Sequence, residues 1–222
     1  MKNLLFLLVF LLSLSINAQK DSLQLGDRYS EDQIFASASY SQFFNQPLAI
    51  SRSGFSYALS TGFIKDFTLN KKGNISIAAG VGYGFDFFNH KLKVEEVNNS
   101  TVFNTSGNSS NVFKSHNLEF PIEFRWRTSN AKKYDFWRVY GGIKFLYNLS
   151  NTFQVEENNT IVKYKNVSAY NNLQYGLTLS AGFDKYNFNL FYSLTPLFED
   201  ATFNGEQLET SIIKFGLIFY IL

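Results

Sequence analysis

The chain has 222 residues, with 20 basic and 18 acidic side chains and a formal net charge of +2. That balance leaves no electrostatic footprint for nucleic acid, and the complete lack of cysteine excludes disulfides, thiolate metal sites and cysteine nucleophiles. Aromatic residues reach 18% and charged residues only 17%, against about 25% charged in an ordinary soluble domain.

Residues 1–18 read as a secretory signal peptide. Lys2 supplies the positive start, Leu4 to Leu12 an apolar run, and Asn17-Ala18 the exit before the polar Gln19-Lys20-Asp21-Ser22. The run is too short for the ~20 residues of a transmembrane helix. A short periplasmic segment, 19–32, is expected next, and a single barrel domain over 33–222.

From residue 33 onward the hydrophobic period is two. Ile75, Ile77, Ala79, Val81, Tyr83, Phe85 and Phe87 share one face of a strand, and Ser76, Ala78, Gly80, Gly82, Gly84 and Asp86 share the other. Leu118, Phe120, Ile122, Phe124 and Trp126 alternate with Glu119, Pro121, Glu123 and Arg125 in the same way. Eight strands are predicted, at about 33–42, 54–65, 74–89, 116–128, 136–149, 171–184, 187–196 and 210–222. Most are longer than the five or six residues usual in globular sheets. About ten tilted residues cross a bilayer's hydrocarbon.

The orientation follows from the smaller face. Ser37, Ser39, Ser41, Ser56, Ala58, Ser60, Gly62, Gly176, Ser180 and Gly182 would weaken a solvated strand, but they suit the cramped interior of a closed eight-stranded barrel. Bulky apolar residues then face lipid. This inversion is the signature of an eight-stranded antiparallel up-and-down transmembrane β-barrel.

Connection lengths alternate long and short, as barrel loops and turns do. Of the 14 residues from Asn98 to Asn111, 11 are Asn, Ser or Thr, a composition too poor in apolar surface to order itself. Trp126 and Trp137 flank the short 129–135 turn, where interface anchors are expected. Tyr40, Phe55, Phe87, Tyr147, Tyr175 and Tyr192 fall near the opposite strand ends.

Strand parity sends Asp86, Glu119, Glu123, Arg125, Arg127, Arg138, Lys144 and Lys214 into the lumen. One hairpin register sets Glu119 against Lys144 and another sets Glu123 against Arg138; the sequence leaves both open. An interior salt-bridge network filling the barrel is favoured over a polar pathway or anion site, because eight strands leave no aqueous channel. Nearby cations should keep Glu119 and Glu123 ionised, which unsuits them as a catalytic pair. His90 points inward and His116 outward by parity. Surface polar roles are expected for both, with no metal site and no hydrolytic triad. Lys65, Lys71, Lys72, Lys132, Lys133 and Lys185, with Asp66, Asp135 and Asp184, read as a solvated periplasmic rim. Glu199, Asp200, Glu206 and Glu209 make the 197–209 loop acidic.

Several segments resemble the small outer-membrane β-barrel proteins of Bacteroidota, the porin-family or PorT-like group. They are Gly62-Phe63-Ile64-Lys65-Asp66 with Leu69-Asn70, Gly80-Val81-Gly82-Tyr83-Gly84, Leu118 through Thr128, Phe136 through Gly142, and the ending Phe219-Tyr220-Ile221-Leu222. The resemblance implies an outer-membrane location and a chain in contact with outer-membrane lipid. It also implies an envelope or secretion-system protein as a possible partner. The expected function is that of a non-enzymatic barrel with a filled polar lumen, acting through extracellular loops or envelope partners, without catalytic residues, cofactor or metal. Three other readings are a narrow porin-like conduit or secretion accessory, a soluble lipocalin-like binder, and a membrane-embedded lipid-modifying enzyme.

Overall fold

The computed structural model describes residues 32–50, 54–97, 100–105, 111–128, 137–157, 160–184 and 186–221. The expected signal peptide and all of the 19–32 segment except Asp32 lie outside the described residues. The strands are β1 Gln33–Phe44, β2 Tyr57–Thr68, β3 Ile75–His90, β4 Leu92–Val97, β5 Ser100–Thr105, β6 Asn111–Arg127, β7 Trp137–Glu157, β8 Thr160–Lys165, β9 Leu173–Phe183, β10 Tyr186–Ser193, β11 Thr202–Phe203, β12 Glu206–Gln207 and β13 Ser211–Ile221.

Eight of them close a barrel. β1, β2, β3, β6, β7, β9, β10 and β13 each pair antiparallel with the next, and β13 returns to β1 through Ile34↔Ile221 to Phe44↔Ser211. These are the eight strands read from alternation, with shifted ends. β2 ends at Thr68, β6 already begins at Asn111, and β7 runs on to Glu157.

The barrel is apolar outside and polar inside. Phe120 and Ile143 are each 40% exposed and Leu177 49%, whereas Glu123 is 6% and Arg125 0% exposed. That overturns the soluble, lipocalin-like arrangement, which needs the large apolar face inward. Small residues let the walls close. Gly62 and Gly82 lie directly opposite each other, and the Phe35 ring covers both; a Cβ at either would come within 2.7 Å of it.

Above the barrel the described parts of the long loops build a second layer; of the 98–111 spacer, 100–105 and 111 are ordered in strands, and 98–99 and 106–110 lie outside the described residues. β4 and β5 form a hairpin from Leu92↔Thr105 to Val97↔Ser100. β8 extends the upper half of β7 through Thr152↔Lys165 to Glu157↔Thr160. β11 and β12 turn on Asn204 (φ 53°) and Gly205 (φ 84°), two successive left-handed residues of the kind that close tight hairpins. The β4–β5 hairpin orders because its few apolar residues are well placed. Leu92, Val94 and Phe103 join Phe43, Ile50, Phe88, Phe113, Phe153, Val167, Tyr170, Leu197, Phe198, Ala201, Phe203, Leu208 and Ile212 in one cluster. Full burial of one such Phe or Leu contributes ~1.5–3 kcal/mol, enough for a handful to offset the ordering of a polar loop.

Candidate functional site: a sealed lumen and its cap

At the end of the barrel nearest the β2–β3 turn, β6 brings Arg125 and Arg127 inward with side chains fully buried. Both converge on Asp66 of β2. Arg125 Nη1 lies 2.7 Å from Oδ1 and Arg127 Nη1 2.6 Å from Oδ2. Arg125 Nε also reaches Glu123 at 2.9 Å, and its Nη1 donates to Gln33 Oε1 at 3.1 Å. The guanidinium sits 4.4 Å from the Tyr140 ring centroid and 5.3 Å from that of Tyr220, so its planar faces are covered by aromatic surface. Arg127 Nε donates to the Gly73 carbonyl at 2.7 Å, and Ser76 donates to Asp66 at 3.2 Å. Such burial costs several kcal/mol per ion, and only near-complete hydrogen bonding offsets it.

Asp66 is a correction. It belongs to the lumen and not to a solvated rim. β2 continues two steps past the inward row Ser56, Ala58, Ser60 and Gly62, through Ile64 to Asp66, so extending the alternation would have found it.

Midway up, Lys144 Nζ meets Glu119 Oε2 at 2.9 Å. The register is neither of the two considered from the sequence. Glu119 lies opposite Leu146 and Glu123 opposite Gly142, so Glu119 and Lys144 meet diagonally. Glu123 bonds Arg125 on its own strand and not Arg138. Arg127 and Arg138 are directly opposite and diverge: Arg127 turns to Asp66, and Arg138 Nη1 donates to the Asp184 carbonyl. Higher still, Lys214 Nζ lies 2.5 Å from Asp86 Oδ1, whose Oδ2 accepts from Asn117 at 3.0 Å and Ser115 at 3.3 Å. Between these charge levels the interior holds two voids of about 10 Å³ each, about one water apiece.

The inward row then changes character. On β3, Asp86 is followed by Phe88 and His90. On β6, Asn117 and Ser115 give way to Phe113. On β7, a register shift between His116 and Asn117 of β6 brings Phe153 and Val155 inward. Phe113 stacks on Phe153 at 4.5 Å and Phe88 at 5.7 Å, and Phe43 on Phe88 at 4.2 Å. This aromatic stack roofs the Asp86–Lys214 pair.

His90 is part of that roof, which corrects its expected surface role. It is 2% exposed, edge-on to Phe43 and Phe153. Burial pulls its pKa down to about 3, with the Leu92 backbone opposing. Burial likewise pushes the Tyr170 phenol up. His116 does face outward, where the Tyr83 hydroxyl contacts its Nδ1 at 2.5 Å.

Trp126 and Trp137 are on the outer wall at the turn end, 43% and 59% exposed, with Trp137 edge-on to Phe183. Tyr147, Tyr175 and Tyr192 are outward on the opposite half. Beside the β11–β12 hairpin, Glu199, Asp200 and Glu209 border an open cleft of about 520 Å³, while Leu197, Phe198 and Leu208 of the same loop are buried.

A search of curated proteins finds no match. Among solved structures, the attachment invasion locus protein Ail of Yersinia pestis aligns at 11% identity with a TM-score of 0.33, covering 87% of this chain and 99% of Ail. A family model described as "Outer membrane protein beta-barrel domain" matches residues 17–199. The chain therefore belongs to the outer membrane protein beta-barrel domain family and is an outer-membrane β-barrel protein.

Proposed function

We propose that the protein is a non-enzymatic, non-conducting barrel whose work is done by its extracellular cap and by envelope partners that dock on it. One observation carries this reading. The lumen is filled by paired charges from Asp66 up to Lys214 and then roofed by the Phe43–Phe88–Phe113–Phe153 stack. A solute would have to break several buried ion pairs and displace an apolar core. The charged residues are matched to one another and not arranged around a space in which a substrate could sit. β4–β5, β8 and β11–β12 instead present a structured surface beyond the barrel.

The test is planar-bilayer recording of the full chain. The expected result is no stable open state at moderate voltage. Reproducible unitary conductance would support the rival reading, a narrow conduit or secretion accessory barrel. For partners, crosslinking in intact envelopes should map contacts to the cap hairpins. Crosslinks confined to the turn end would refute an outward-facing role.

A further inference from the structure

The outer face of β6, β7 and β8 carries a basic group that no lumen pair uses. Register places Lys114 of β6 opposite Thr152 of β7, and Thr152 opposite Lys165 of β8. Lys163, two residues from Lys165, lies opposite Gln154. Phe113, Phe153 and Tyr164 point into the cap, so these three lysines point away from it. Lys163 and Lys165 are exposed, and Lys114 lies 5.7 Å from the centroid of the Phe87 ring. Among the described residues none of the three meets a carboxylate. Glu156, opposite Ile161, lies on the same face.

Height along the barrel gives the group a meaning. From Trp126 to Lys114 the strand advances roughly 40 Å at ~3.3 Å per residue. At a tilt of about 45° this is roughly 28 Å along the membrane normal, just past an apolar band about 25 Å tall. Leu118, opposite Tyr147, is the last large apolar residue before His116 and Lys114. Strands two apart are separated by roughly 10 Å, within the joint reach of two lysine side chains.

We infer that Lys114, Lys163 and Lys165, with Thr152 and Gln154 between them, bind the phosphate of an anionic lipid head group in the outward-facing leaflet. The acyl chains of that lipid would lie along the apolar wall below, beside Leu118, Tyr147 and Tyr83. Adjacent lysines at the right depth, without a carboxylate partner among the described residues and underlain by hydrocarbon-facing residues, match a molecule with an anionic head and an apolar tail.

The experiment uses the full barrel folded in zwitterionic detergent. Lipid retention is read by native mass spectrometry after titration with bisphosphorylated lipid A. The phosphate-free form of the same lipid and inorganic phosphate alone serve as separate probes. Wild type should retain the phosphorylated lipid, and added salt should weaken retention. Lys114→Gln/Lys163→Gln/Lys165→Gln should weaken it on the order of 100-fold, with each near-interface lysine contributing comparably. Lys71→Gln/Lys72→Gln, at the β2–β3 turn, should leave it unchanged. Equal retention by the triple variant, or of the phosphate-free lipid by wild type, would overturn the assignment. Displacement of the lipid by equimolar inorganic phosphate would make the occupant a free anion and overturn it too. The wild-type comparison of the two lipids stands whether or not the triple variant folds.

Discussion

Replacing Asp66 with Ala tests whether the lumen charges hold the barrel together. The substitution removes the acceptor of two fully buried guanidiniums, at 2.7 Å and 2.6 Å. Arg125 keeps Glu123 and Gln33, and Arg127 keeps the Gly73 carbonyl. Breaking one side of a buried pair typically costs ~3–5 kcal/mol, and the surviving Glu123 contact places the loss near the lower end, about 3 kcal/mol. Asp66→Asn retains an oxygen acceptor and should cost less, about 1.5–3 kcal/mol, the usual worth of a hydrogen bond to a charged group. The adjacent Lys65 gives an internal control. Its pair with Asp32 is 2.7 Å long, but the side chains are 54% and 34% exposed, so Lys65→Ala should cost under ~1 kcal/mol. Urea unfolding in lipid vesicles reads the difference through Trp126 and Trp137, which flank this end of the barrel on its outer face. If Asp66→Ala and Lys65→Ala shift stability alike, by less than ~1 kcal/mol, the buried network is not what holds this end closed.

Two further outcomes follow from the cap. Phe113, fully buried and stacked between Phe88 and Phe153, should cost ~3–5 kcal/mol of cap stability as Phe113→Ala; hydrogen exchange should accelerate in β4, β5 and β8 while the β1–β13 amides stay protected. His90 should make the cap acid-sensitive. Its folded pKa of about 3 lies below the ordinary histidine value of 6.5, so the unfolded chain binds the proton more tightly. Stability is therefore complete above pH ~6.5 and falls by up to ~1.4 kcal/mol per unit as pH drops towards 3. Proteolysis of the cap between pH 7 and pH 4 checks this, and His90→Leu should flatten that dependence.

The barrel was legible because one rule governs it: alternate residues along Ile75–Phe87 or Leu118–Trp126 face opposite media, and within the membrane-spanning part a strand keeps its parity; β7 changes parity only above it, at the register shift beside His116. The lumen residues were legible for the same reason. Their pairing was not, because register depends on the turn between Arg127 and Trp137, and the alternation on either strand is unchanged by a shift of two. The cap was hidden more deeply. Phe88 shares a face with Asp86, and Phe43 with Ser41, so each looks misplaced by the rule that serves the membrane-spanning part. Beyond the hydrocarbon, outside means water and inside becomes an ordinary protein core, which reverses the preference at the same parity. The Asn/Ser/Thr content of 98–111 then hid Phe103, which packs against the same cluster as Val94 of the preceding strand.

The seam between β1 and β13 has a kinetic consequence. Every other junction in the ring joins strands adjacent in the chain's course around it, so its contacts are comparatively local. This one joins Ile34 to Ile221, the longest sequence separation of any junction, so it makes the largest single contribution to the chain's contact order and is the costliest single closure. Before it zips, the half-built cylinder has two raw flanks, each able to recruit a stray strand. Assembly is therefore gated by the meeting of the first and last strands, and a substitution such as Ala38→Pro at that joint should delay maturation more than the same change in a local hairpin.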